Sequence, residues 1–154
     1  MIWRSAGFWR GFSAVATAVA AALLVLLLES QPRTLAIPSS VAVLNDLDAK
    51  PSFLVRADYK SHAVTVEPLR EHHKPETVDY ELWAVPKTKG VPPVSLGVIT
   101  VEKKQSIALT EKQFETVKQA ISMAVSMEPL GGSPTGAPTG EVRFQGAVVA
   151  SAHH

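Results

Sequence analysis

The chain has 154 residues, with Lys+Arg 15 against Asp+Glu 14 and a formal net charge of +1. That balance excludes a strongly basic nucleic-acid binder, and the absence of cysteine excludes disulfides, thiolate metal sites and a Cys nucleophile. A hydrophobic content of 46% fits a globular core or a membrane segment rather than a disordered chain, and 11 prolines with 9 glycines point to many turns.

The average hides a split. From Gly11 to Leu28 the chain carries no charge and no proline. As a helix at about 1.5 Å per residue, this run spans about 27 Å, close to the hydrocarbon thickness of a bilayer. Arg4 and Arg10 precede it and Glu29 is the first charge after it. The positive-inside rule then places Met1 in the cytoplasm and the chain beyond Glu29 outside, with Trp3, Phe8 and Trp9 as interfacial anchors. A cleaved signal peptide is the competing reading. The run exceeds the usual apolar length for one, and the best cleavage candidate, Thr34-Leu35-Ala36, is weak and distant. Residues 1–10 are thus expected to be a cytoplasmic stub, 11–28 a transmembrane helix, 29–38 an extended tether broken by Pro32 and Pro38, and 39–154 a separate exterior domain. That domain has 12 basic and 13 acidic residues, so no overall attraction to phosphate is expected of it.

Beyond the tether the pattern is mostly that of strands. Val41–Leu44 and Ser52–Tyr59 are β-rich runs flanking a turn, and Ala63–Glu67 reads as the second arm of a hairpin. Glu71–Glu76 is a polar loop. Val78–Val85 alternates, with Val78, Tyr80 and Leu82 pointing one way and Asp79, Glu81 and Trp83 the other. Ser95–Val101 and Gln105–Leu109 follow. One helix is expected, with Thr110 as its cap, Gln113 completing a capping box, and Phe114, Val117, Ala120 and Ile121 as its apolar stripe. Ser122–Glu128 and Val142–Val149 close the series. Strands that are not interleaved with helices argue against a parallel α/β sheet. The expected fold is mainly β, an antiparallel Ig-like sandwich with one short helix, preceded by a single transmembrane helix.

Candidate chemistry is sparse. His62, His72, His73, His153 and His154 lack metal-ligand spacing, and adjacent His72 and His73 would point to opposite faces of a strand. No G-x-S-x-G serine and no singled-out carboxylate pair is present, so neither catalytic, cofactor-binding nor metal residues are assigned and no cofactor is expected. The segment after Pro129 ends in a tandem unit, Ser133-Pro134-Thr135-Gly136 then Ala137-Pro138-Thr139-Gly140. Each Pro can set the φ of a turn and each Gly can take the positive φ that follows. The unit lacks the Lys-Ser/Thr of a phosphate loop, so a compact structural loop is expected.

Tyr80-Glu81-Leu82-Trp83, then Leu96-Gly97, then Ser126, Glu128 and Pro129, then Gly131-Gly132-Ser133-Pro134-Thr135-Gly136 and Pro138-Thr139-Gly140, occur in an order and spacing that resembles the C-terminal domain of anti-sigma-K factors of the RskA type. The resemblance covers nearly the whole chain. It implies a membrane-spanning regulator in the bacterial inner membrane, with its N-terminus cytoplasmic and its C-terminal domain extracytoplasmic. Its partners would be the lipid bilayer, an extracytoplasmic-function sigma factor held by an N-terminal cytoplasmic domain, and site-1 type and intramembrane proteases that release that factor. About ten residues before the apolar run are too few for a helical sigma-binding domain, so this chain is expected to carry the transmembrane and sensing half only. The alternative is a stand-alone anchored or secreted β-sandwich binding module with no sigma-factor activity. An exterior enzyme is the third reading, disfavoured because no catalytic set is visible.

Overall fold

The computed structural model describes residues 39–150. The chain divides into two units, Met1–Leu35 and Ala36–His154, and the described residues all belong to the second. The apolar run Gly11–Leu28 and the tether Glu29–Pro38 lie outside them. No helix among the described residues is long and apolar enough to cross a membrane.

Eight strands form: β1 (Ser39–Asn45), β2 (Pro51–Asp58), β3 (Ala63–Pro68), β4 (Val78–Pro86), β5 (Val94–Ile99), β6 (Gln105–Ala108), β7 (Ala120–Pro129) and β8 (Val142–Ala150). Among the described residues one helix, α1 (Glu111–Lys118), precedes β7. The strands build one antiparallel sheet in the order β5-β4-β7-β8-β1-β2-β3-β6. The expected Ig-like sandwich is therefore corrected. A sandwich needs a break between two packed sheets, and here the ladder runs unbroken through β7, β8 and β1. The sheet instead curls into a nearly closed, barrel-like form. Register shifts at Leu44/Asn45, Leu82/Trp83, Val85/Pro86 and Val125/Ser126 supply local bend and extra twist. Curling lets one face bury itself: Leu44, Phe53, Val55, Val64, Leu82, Leu96, Met123 and Val125 meet in a single cluster drawn from both halves of the sheet.

The edge strands β5 and β6 are not paired with each other, and side chains cover parts of the seam. The Gln113 amide donates to the Ser95 carbonyl at 2.8 Å, and the Thr100 N–H donates to Gln105 Oε1 at 3.0 Å. Alternating strand direction separates two poles. Ser39, the β2–β3 turn and α1 lie at one. The β1–β2, β3–β4, β5–β6 and β7–β8 loops lie at the other.

Helix α1 has the expected capping box of Thr110 with Gln113, and it buries Phe114 and Val117. His62 stacks on Phe114 with ring centroids 3.8 Å apart, and Tyr59 meets the same ring edge-on at 5.8 Å. The helix is shorter than its apolar stripe suggested. Gln119 caps it, Ala120 pairs with Pro86, and Ile121 sits half-exposed on β7. Sheet pairing with β4 takes residues that helical periodicity alone assigned to the helix.

Candidate functional site: a loop clamped to the outer sheet face

Strand β4 is buried on both faces. Tyr80, Leu82 and Ala84 point into the barrel, and Tyr80 meets Phe144 edge-on at 5.7 Å. Glu81 and Trp83 occupy the opposite face and are also buried, with Trp83 0% exposed. Trp83 is not part of the inner cluster. In register with this outer face of β4, strand β7 presents Ala124 opposite Trp83, Ser126 opposite Glu81 and Glu128 opposite Asp79.

The β7–β8 loop, residues 130–141, holds this face through backbone N–H groups bound to carboxylates. Gly131 N–H donates to Asp79 Oδ2 at 2.9 Å, and Ser133 N–H to Glu81 Oε2 at 2.6 Å. Thr139 N–H bridges both Glu128 oxygens at 3.1 Å, Gly140 N–H reaches Oε1 at 3.3 Å, and the Thr139 hydroxyl donates to Oε2. A polar relay runs beneath. Trp83 Nε1 donates to Ser126 Oγ at 2.8 Å, and that hydroxyl donates to Glu128 Oε1 at 2.5 Å. The Ser95 hydroxyl donates to Glu81 Oε1, and Lys74 Nζ bonds Asp79 Oδ1 at 2.8 Å. Among the described residues no buried side-chain N or O lacks a hydrogen-bond partner.

This arrangement answers an electrostatic problem. Asp79 and Glu128 face each other across antiparallel strands, a like-charge pairing that is unfavourable unless compensated. The loop's N–H dipoles and Lys74 supply the compensation. Burial pushes the Glu128 carboxyl up, but hydrogen bonds from Ser126, Thr139 and Gly140 more than offset it, leaving it below its ordinary value. Asp79 is likewise held low, first by the Gly131 N–H and then by Lys74.

The loop braces itself as well. The Ser133 hydroxyl donates to the Ala137 carbonyl at 2.5 Å and Thr135 Oγ1 donates to the same oxygen at 3.1 Å. Of the two Pro-Thr-Gly turns, the first ends as expected in a positive φ, +74° at Gly136. The second differs. Gly140 has no positive φ, but a Cβ there would lie 1.6 Å from the Met127 carbonyl oxygen. Its glycine is needed for close approach of the loop to β7.

The structure thus draws Glu81, Trp83, Ser126, Glu128 and the segment Gly131–Gly140 together on the outer face, with Pro129 ending β7 beside them. Tyr80, Leu82 and Leu96 lie apart, inside the barrel, and Gly97 pairs with Leu82 at the β4–β5 bulge. Asp79, Lys74 and Ser95 belong to the clamp but were not singled out by sequence. Alternation along β4 already put Asp79 beside Glu81, whereas nothing local marks Lys74 or Ser95. Of the histidines, His72 stacks on Phe53 at 4.5 Å and sets Nε2 3.1 Å from the Ser52 carbonyl, so this residue of the polar loop Glu71–Glu76 packs against the core.

A second feature is a cleft of about 960 Å³ at the loop-bearing pole, lined by residues of the β3–β4 and β5–β6 loops including Arg70, His73, Lys74 and Glu102. Its cations are partly committed, Arg70 to Asp46 and Lys74 to Asp79.

A single curled antiparallel sheet with one short helix and a loop strapped over its outer face defines a small, mainly β, barrel-like domain. The family model for the C-terminal region of the anti-sigma-K factor RskA matches residues 14–142, and the chain belongs to that family. No curated protein and no solved structure matches the chain.

Proposed function

We propose that this chain is the transmembrane and extracytoplasmic half of a membrane-anchored anti-sigma factor, and that its β domain receives the signal that starts regulated proteolysis. The supporting observation is the reach of the family match. It begins inside the apolar run and continues through β8's first residue, taking in the whole clamped loop. Within this reading the run Gly11–Leu28 anchors the chain with Met1 in the cytoplasm, and the tether Glu29–Pro38 takes the first cut because extended backbone fits a protease cleft. The second cut falls in the run, where Gly11, Ser13 and Thr17 lower helix propensity. Holding the sigma factor is the work of a separate cytoplasmic domain of the family's architecture.

The test is a reporter that functions only outside the cytoplasm, fused after His154. It is expected to be active and to stay with membranes through a carbonate wash. An active but fully soluble, shortened product would instead support a secreted β domain. Expressed beside the cognate sigma factor, these 154 residues are expected to leave its promoters unchanged. Strong repression would place an inhibitory surface within the chain itself.

A further inference from the structure

The geometry points to the β7–β8 loop being an acid-releasable strap: protonation of Asp79 and Glu128 loosens residues 130–140 from the outer face of β4 and β7 and uncovers Trp83 while the barrel stays folded.

Three features carry this. First, the side-chain bonds that hold the loop to the β4–β7 face converge on carboxylates, and the backbone bonds, from Met127 N–H to the Glu141 carbonyl and from Gly132 N–H to the Pro129 carbonyl at 2.9 Å, lie at its two ends. Gly131, Ser133, Thr139 and Gly140 all give backbone N–H groups to Asp79, Glu81 or Glu128. A protonated carboxyl is a weaker acceptor than a carboxylate, so acid weakens the bonds to Asp79 and Glu128 together and leaves the backbone bonds at the loop's ends as its hinges. Second, the loop is built to move as a unit. Ser133 and Thr135 tie it internally to Ala137, two prolines stiffen it, and Gly131 and Gly132 at its start have φ of +92° and +98°. Third, the inner core is independent of it. The cluster of Leu44, Phe53, Val55, Leu82 and Val125 lies on the other side of the sheet and includes no loop residue.

The charged groups around Glu128 are Asp79 and Glu81 on β4, Lys74 against Asp79, and Glu141 with Arg143 at the loop's exit, which pair at 3.2 Å. Lys74, with Nζ 2.8 Å from Asp79 Oδ1, favours the ionised form of Asp79. Glu128 and Asp79 sit below their ordinary values of 4.5 and 3.8. The clamp is therefore complete above about pH 4.5, weakens below it, and is lost as the pH falls through the lowered values of Glu128 and Asp79.

The experiment uses the full chain in mild detergent with Trp3→Phe and Trp9→Phe, leaving Trp83 as the sole tryptophan. Acrylamide quenching of Trp83 is followed from pH 7 to pH 3, beside amide-exchange protection of Val55 and Val64. A severalfold rise in the quenching constant below about pH 4.5, with protection at Val55 and Val64 retained, is the expected result. Quenching and core protection changing at one common midpoint would overturn the proposal, because the strap would then not open separately. Glu128→Gln and, as a second variant with milder burial, Asp79→Asn are each expected to raise quenching at pH 7 and flatten its pH profile. Wild-type quenching and an unchanged profile in both folded variants would also overturn it.

Discussion

The two faces of strand β4 are equally dry and are kept dry by different means. The inner face, with Tyr80, Leu82 and Ala84, is sealed by a curled sheet packing apolar side chains on one another. The outer face, with Glu81 and Trp83 buried, is tied by hydrogen bonds: Glu81 accepts from the loop's Ser133 N–H, and Trp83 donates to Ser126, whose hydroxyl reaches the loop-bound Glu128. Apolar contact is non-directional and tolerates small shifts, whereas the clamp needs each N–H to meet its carboxylate. Both faces contribute burial to the stability of the fold, and the outer face also sets the conformation of one loop.

The comparison breaks most readily at the two largest fully buried side chains. Phe53→Ala inside and Trp83→Ala outside are each expected to cost about 3–5 kcal/mol in urea unfolding. A cost near 1 kcal/mol for Trp83→Ala alone would mean that the loop collapses into the space and that the outer layer adds little to global stability. Glu128→Gln keeps the shape and removes the charge, with an expected loss of about 1.5–3 kcal/mol. Amide exchange should quicken at Thr139 and Gly140 but not at Val55, and uniform quickening would erase the distinction between the faces.

Acid sharpens the same contrast. The Glu128 carboxylate stabilises the fold above its unfolded value and loses that contribution as the pH falls, so the stability gap between wild type and Glu128→Gln should shrink below about pH 4.5. A gap that stays constant to pH 3 would show that ionisation of Glu128 is not what holds the loop. The smallest effect is expected at the rim. Arg143 pairs with Glu141 at 3.2 Å with both side chains well exposed, and Arg143→Ala should change stability by less than about 0.5 kcal/mol. A larger loss would extend the clamp beyond the three carboxylates.

The sequence by itself determined the local elements. Period-two alternation marked the strands, and the Thr110–Gln113 capping box marked the start of α1. The signature residues from Tyr80 to Gly140 carried the family. In β4, alternation also placed Asp79, Glu81 and Trp83 on one side, which reads locally as a half-solvated face. Only the tertiary structure decided that this side is buried, because Gly131 and Ser133 reach Asp79 and Glu81 across 52 residues of chain. The choice of curled sheet over sandwich was likewise not local. It rests on β1 pairing with both β2 and β8, and on bulges that appear only when two strands are aligned against each other. Hydrophobic period tells a strand which side to bury, but not which distant segment will do the burying.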